Sequence, residues 1–396
     1  MPRVRDRIRQ LVLPPFDPLN ARAAELRAAG HHVISLGQAV PYFAPPASAL
    51  SAARDAVGRP DINRYVTDPG LPSLRKALAG RLGALTDGPL SAGNVLITAG
   101  ANHAFTLVLT TIVDAGDEVI VHSPYFTNHH GAIVAAGATP VEAPVADRET
   151  FAVRWPDIEP LLTRRTKAVV LCNPSNPTGA PVAASDGHEI VHELLARGIF
   201  VISDETYMHF VYDGDHWSGA SVAGWRDGVI VIGTFSKSFA MMGWRLGFML
   251  ADAEVCAQAV KVQDAMIICA PAISQVAGEA AVRADWRYAA GFHGELRARR
   301  RILAEGLGAI SRVQWTPTGG GLFAFARIDG CQDSARLAHD LLEQAHVVTI
   351  PGAAFGSSGE GYLRISYGYA SQADLTEAIH RIAAFLAAPG REGLYR

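Results

Sequence analysis

The sequence carries four cysteines, Cys172, Cys256, Cys269 and Cys331, but no C-x-x-C pair in 396 residues. That scattering fits a reduced, cytoplasmic protein and supplies no zinc–thiolate site. No apolar run reaches the length of a transmembrane helix, and the first ten residues alternate arginines without an apolar signal core. Net charge is −3 and no segment is strongly basic, which argues against a nucleic-acid or anionic-membrane partner. No strand-like run is followed by G-x-G-x-x-G, so a nicotinamide-dependent oxidoreductase has no support. The segment before the first loop is too short for an added helix-turn-helix. Internal repeats and low-complexity stretches are absent as well.

What is present is a long α/β pattern. Pro14, Pro15 and Pro18 predict an extended arm over residues 1–18, followed by a short helix from Asn20 to Ala29 capped by Gly30. His32–Leu36 reads as a strand leading into the loop Gly37–Phe43, and Pro72–Leu85 reads as a helix. Between residues 94 and 250 the pattern becomes strand, loop, helix, repeated. Val95–Thr98, Glu118–His122, Ala168–Cys172, Ile199–Ser203 and Val229–Ile232 are apolar nearly throughout. Such strands belong in a mostly parallel sheet covered on both faces, a three-layer arrangement. Thr139–Val145 is an edge strand at best, because Pro140 and Pro144 cannot donate to a ladder. Past Ala251 the chain is helical to about Ile310, with a break at Cys269–Pro271. Short strands then alternate with two amphipathic helices, Asp333–Gln344 and Ser371–Ala388, as in a smaller α+β unit. The expected division is 1–45 as an arm joining the small domain, 46–285 as the large domain and 286–396 as the small one.

Ligands in parallel sheets bind at the carboxyl ends of strands. Here those ends carry Asn102, Phe126, Asn176, Asp204, Tyr207 and Lys237. Lys237 leaves its strand between Ser236 and Ser238, amid Phe235, Phe239, Met241, Met242 and Trp244. Apolar surroundings desolvate an ammonium, lower its pKa and make the amine a usable nucleophile. The hydroxyls of Thr234 and Ser236 and the guanidinium of Arg245 suit a phosphate dianion. A lysine amine beside a phosphate site points to Schiff-base chemistry on a phosphorylated aldehyde.

The ordered set Tyr65, Gly100-Ala-Asn102, Phe126, Asn173-Pro-Ser-Asn-Pro-Thr-Gly179, Asp204-x-x-Tyr207, Ser236-Lys237, Arg245 and Arg364 resembles the fold-type I, pyridoxal-phosphate-dependent aminotransferases of class I/II, over nearly the whole chain. The resemblance implies a ping-pong aminotransferase. An L-amino acid would give its nitrogen to the cofactor and leave as a 2-oxo acid, and a second oxo acid would take the nitrogen up. Lys237 would hold the cofactor covalently and later move the substrate's Cα proton. Asp204 would pair with the pyridine nitrogen, with His129 hydrogen-bonding it from behind. Asn176 and Tyr207 would face the phenolic oxygen, and Phe126 would stack on the ring. Ala101, Asn102, Thr234, Ser236 and Arg245 would bind the phosphate, joined by Tyr65 from a second subunit of a homodimer. Arg364 would grip the substrate carboxylate, which Ala39 would meet through its backbone while Tyr42 walls the pocket. Nothing marks a second arginine for an acidic side chain, so a neutral or aromatic amino acid is expected.

Two other readings compete. The same scaffold supports β- or γ-elimination, replacement or cyclisation. His188-Glu-Ile-Val-His192 formally matches a zinc-hydrolase helix, but positions 195 and 198, where a third ligand is expected, are Leu and Gly.

Overall fold

The computed structural model describes residues 3–389 and Tyr395. Its strands are β1 (Ile34–Ser35), β2 (Val95–Thr98), β3 (Glu118–Ser123), β4 (Thr139–Pro144), β5 (Thr166–Cys172), β6 (Phe200–Asp204), β7 (Val229–Thr234), β8 (Gly247–Leu250), β9 (Val313–Gln314), β10 (Phe323–Ile328), β11 (Val347–Val348), β12 (Ile350–Pro351) and β13 (Tyr362–Ser366). Seven of them form one sheet in the order β2-β8-β7-β6-β5-β3-β4. All its pairings are parallel except those of β8, which runs antiparallel to both neighbours. The proline-bearing β4 lies at the edge, where Pro140 and Pro144 cost the ladder least.

Side chains alternate across a strand, so each central strand feeds two cores. Val229 and Val231 face one apolar cluster, with Leu171, Val201 and Trp225. Ile230 and Ile232 face the other, with Phe105, Val170 and Ile202. Burial on both faces is why these strands read as unbroken apolar runs.

A second body of structure lies beyond the long helices Ala253–Ile267, Ala272–Ala284 and His293–Gly308. It is an antiparallel sheet in the order β12-β13-β10-β9, covered by the helix Gln372–Ala387. Residues 34–36 join it, whereas the turn Asp6–Arg9 lies against the helix Thr127–Ala136 of the main sheet's layer, with Arg7 Nη2 donating to the Ala135 carbonyl. β1 pairs in parallel with β11, and Ile34 and Leu36 pack with Leu303, Ala324, Ile365 and Ile379.

Two expectations need correction. The arm over residues 1–18 is not extended throughout: Asp6–Arg9 is a helical turn, and the next helix starts at Phe16 rather than Asn20. Pro18 sits in its first turn, where a missing N–H removes no helical hydrogen bond. Gly247–Leu250, which the apolar pattern did not mark as a strand, belongs to the main sheet. Glycine at 247 has a steric cause, because a Cβ there would lie 2.8 Å from the backbone of both Gly100 and Gly233.

Candidate active site

The carboxyl ends of β2, β3, β5, β6 and β7 converge on a cavity of about 350 Å³. Lys237 starts from a single helical turn, Phe235–Ser238, whose second amide is capped by Thr234: Ser236 N donates to Thr234 Oγ1 at 3.1 Å. The Lys237 Nζ donates to the Ala39 carbonyl at 2.7 Å. Burial, reinforced by the nearby guanidinium groups of Arg364 and Arg245, lowers its pKa from 10.5 to about 8. The amine is therefore substantially neutral in mildly alkaline solution.

Asp204 ends β6 with its carboxylate buried. Oδ2 lies 2.9 Å from His129 Nε2, the contact expected from the sequence, and Oδ1 accepts from Thr206 N at 3.0 Å. Burial, the largest influence, pushes this carboxyl up, but the hydrogen bonds from His129 and Thr206 prevail and hold it below its ordinary value. His129 lies in the first turn of the helix Thr127–Ala136, and Phe126 stands at that helix's N-cap with its ring edge-on to the imidazole. Three residues beyond Asp204, the Tyr207 phenol is buried, which pushes it well above the usual tyrosine range.

Arg364 lies in β13, buried from solvent. Its fork donates to Asn176 Oδ1 at 2.9 Å and to the Gly37 carbonyl at 2.7 Å. Phe16, Phe323 and Phe355 surround it, with ring centroids 5.0–5.5 Å from the guanidinium carbon. Burial lowers its pKa to about 10, which leaves it charged at neutral pH. Its Nε has no partner.

On the opposite side, the helix Ala101–Ile112 presents its first amides to the cavity beside Thr234, Ser236 and Arg245. Arg245 sits at φ 50, an uncommon conformation for a side-chain-bearing residue, and bonds the Met242 carbonyl at 2.9 Å. Gly100 makes room for it: with φ +93, any Cβ there would lie 2.6 Å from Arg245 Nη2.

Of the residues singled out in the sequence, Ala39, Ala101, Asn102, Phe126, Asn176, Asp204, Tyr207, Thr234, Ser236, Lys237, Arg245 and Arg364 line this one cavity. Two do not. Tyr42 turns away, its ring under the Arg299 guanidinium at 4.1 Å and edge-on to Phe292. Aromatic packing among Phe43, Tyr288 and Phe292 holds it there, so it does not wall this pocket. Tyr65 lies outside the cavity with 78% of its surface exposed. The cavity also includes Met242, expected beside Lys237, and Phe16, Asp17, Asn20, Gln38, Val40, Cys172 and Thr206, which the sequence did not mark as site residues. An aromatic and an acidic residue at the start of a helix after Pro14-Pro15 was the available signal for Phe16 and Asp17.

His188 and His192 sit on the helix Ala184–Leu195, and neither lines the cavity. His188 Nδ1 faces its own Ala184 carbonyl and His192 is exposed beside Glu193. Among the described residues no group of three such side chains could hold a metal, so the zinc reading has no structural support.

A desolvated lysine, a buried carboxylate held by an imidazole, and a helix N-terminus with two hydroxyls and a guanidinium form a donor set for a phosphorylated pyridine aldehyde. Residues 31–382 match the family Aminotransferase class I and II, and the chain belongs to that family of pyridoxal-phosphate-dependent enzymes. It is similar to the aspartate aminotransferase of Pyrococcus abyssi, 33% identical over 90% of this chain and 92% of the relative. It is also similar to the aromatic-amino-acid aminotransferase 2 of Thermococcus litoralis, 32% identical over 88% and 90%. Among solved structures, the aspartate aminotransferase of Thermotoga maritima superposes with a TM-score of 0.91 at 29% identity, covering 97% of this chain and all of that one. The protein is a pyridoxal-phosphate-dependent aminotransferase of the α/β, fold-type I architecture. No finding favours elimination or cyclisation. Among the described residues no helix is long and apolar enough to cross a membrane.

One prediction concerns the amine itself. In cofactor-free protein, acylation of Lys237, followed by peptide mass spectrometry, should have a pH midpoint near 8, set by its lowered pKa. Because the folded state favours the neutral amine, its burial destabilises the cofactor-free fold below pH 8. That penalty is relieved as pH rises from 8 towards the unfolded value of 10.5. A midpoint near 10 would contradict the desolvated environment.

Proposed function

We propose that this enzyme transfers the amino group of a neutral or aromatic L-amino acid to a 2-oxo acid by a ping-pong route, with Lys237 as the catalytic amine. The observation that carries the reading is the placement of Lys237, Asp204 and Arg364 around one cavity. When bound, pyridoxal phosphate supplies an electron sink that stabilises negative charge at the substrate's Cα. Asp204, kept anionic by His129 and Thr206, would hold a proton on the ring nitrogen. Asn176 and Tyr207 would donate to the phenolic oxygen, and Phe126 would cover one ring face. The amides of Ala101 and Asn102, with Thr234, Ser236 and Arg245, would anchor the phosphate. Arg364 would exchange its bonds to Asn176 and Gly37 for the two oxygens of the substrate carboxylate, next to the Ala39 backbone. Lys237 Nζ, with its pKa lowered, is suited to take the Cα proton and to return it to the carbon on the far side of the shared nitrogen, two bonds away.

The side-chain preference rests on the lining. Among the described residues its only cations are Lys237, Arg245 and Arg364, all engaged in the roles above, whereas Asp17 adds a negative charge. An acidic substrate side chain would meet no free positive partner among the described residues. Aspartate and aromatic amino acids both appear in the names of the relatives, and this lining favours the second. Homodimerisation is part of the proposal: Tyr65 is largely exposed, as are parts of Met266 and Ile267, and the tyrosine would reach the phosphate of a partner's site. The 46–285 and 286–396 division, with the first 45 residues joining the smaller part, and a cytoplasmic location complete it.

The test is an absorbance spectrum of the purified protein loaded with cofactor, repeated with single amino acids. Phenylalanine or tyrosine should bleach the visible band and release the matching oxo acid, and a second oxo acid should restore it. Bleaching by aspartate alone would overturn the side-chain preference. A band that shifts without oxo-acid release would overturn transamination in favour of a lyase.

A further inference from the structure

Asp204 is followed by a second carboxylate on the other side of the sheet. Strand alternation sends Asp204 into the cavity and Glu205 into the opposite core, where it is fully buried. Glu205 Oε1 accepts from Ser203 Oγ at 2.8 Å, Ser218 Oγ at 2.8 Å and Gly219 N at 3.0 Å. Its Oε2 lies 2.9 Å from His216 Nε2. The backbone of Glu205 is equally engaged. Its N–H donates to the Ile232 carbonyl of β7, and its own carbonyl accepts from Met208 N at 3.0 Å, closing the turn that contains Thr206 and Tyr207.

The partners of this carboxylate reach a second functional segment. Between His216 and Ser218, the Trp217 carbonyl accepts from Asn173 Nδ2 at 2.6 Å, and Asn173 N donates to the Asp204 carbonyl at 2.8 Å. Asn173 begins the Asn-Pro-Ser-Asn turn that presents Asn176. The segment 216–219 is thus stitched to the ends of both β5 and β6, and Glu205 is the side chain on which its bonds to β6 converge. Gly219 packs tightly here, since a Cβ would lie 3.1 Å from the Ser203 side chain. His216 Nδ1 is buried without a partner, so the contact to Glu205 is what orients this ring.

We propose that Glu205 is a positioning residue for transamination, resting on the function proposed above. It holds the 204–207 turn and the 173–176 turn in one register, so that Asp204, Tyr207 and Asn176 meet the cofactor ring together. It touches neither substrate nor cofactor and acts through these three.

Glu205→Gln tests this with little change of shape, since the amide can face His216 in its other tautomer while the oxygen keeps its three donors. In the reconstituted enzyme the dissociation constant for pyridoxal phosphate should rise about tenfold and kcat should fall about tenfold, with KM for the donor within about twofold. The pH midpoint of the bound cofactor's visible band should move, because the groups facing its phenolic oxygen are displaced. The thermal midpoint of cofactor-free protein should stay within a few degrees. Ser218→Ala, which removes one of the three donors to Oε1, should give the same pattern at smaller size and carries the test if Glu205→Gln fails to fold. A lowered thermal midpoint with cofactor affinity, kcat and spectral midpoint unchanged would make Glu205 scaffold only and overturn the proposal, as would no change in either variant. A wild-type protein that binds no cofactor would instead sink the underlying functional reading, and this inference with it.

Discussion

Lys237→Ala is expected to reduce transamination by about 10⁴-fold or more while leaving the protein folded. Acid–base catalysis by a positioned group accounts for about 10²–10⁴ in rate, and here the same amine is proposed also to carry the cofactor. Folding should not suffer, because the substitution removes a cation whose burial is unfavourable and whose single hydrogen bond is to the Ala39 carbonyl. Steady-state assays with an aromatic donor, beside circular dichroism of the same preparation, provide the check. Transamination at the wild-type rate would eliminate Lys237 as the catalytic amine.

Arg364→Lys is the second large effect, and it separates charge from shape. Arginine offers two parallel donors in a plane, whereas lysine in the same place offers a point charge. The native fork is held by Asn176 on one arm, Gly37 on the other and three phenyl rings around it. A shorter, non-planar ammonium cannot match both carboxylate oxygens or keep those contacts. Weakening a buried, charge-assisted pair of this kind costs about 3–4 kcal/mol, so kcat/KM should fall by about 10²–10³-fold. The loss should show mainly as a higher KM for every amino donor, whatever its side chain, since the α-carboxylate is common to all. A variant that discriminates among donors while handling the best of them normally would place Arg364 at the side chain instead.

Much of this was legible in the sequence because the physics was local. Strands buried on both faces announce themselves as β-branched runs, and residues that follow such runs sit at the sheet's carboxyl edge. That logic alone brought Asn176, Asp204 and Lys237 to one cavity. β8 escaped because Gly-Phe-Met-Leu is four residues long and begins with a glycine that only the crowding of Gly100 and Gly233 explains. Phe16 and Asp17 escaped for another reason: three prolines suggested an arm, and only packing of Leu19, Ala23 and Leu26 under Phe325 and Phe355 makes the segment a helix at the cavity. Tyr42 was misplaced because its neighbours, Phe292 and Arg299, lie some 250 residues away along the chain. The Glu205 network depended on knowing which side of the sheet each of two consecutive acids takes.

The pairing of Ile34–Ser35 with Val347–Val348 bears on how the protein comes into being. All seven strands of the main sheet lie between residues 95 and 250, so a ribosome makes them before any residue beyond 250. The arginine at 364 and the carbonyl at 37 that holds it are 327 positions apart, so they meet only when synthesis is nearly over. Until then Ile34 and Leu36 have no apolar shelter and are exposed to chaperones and to aggregation. The proposed carboxylate grip, and the Ala39 carbonyl that Lys237 bonds, therefore depend on the last hundred residues folding back onto the first forty.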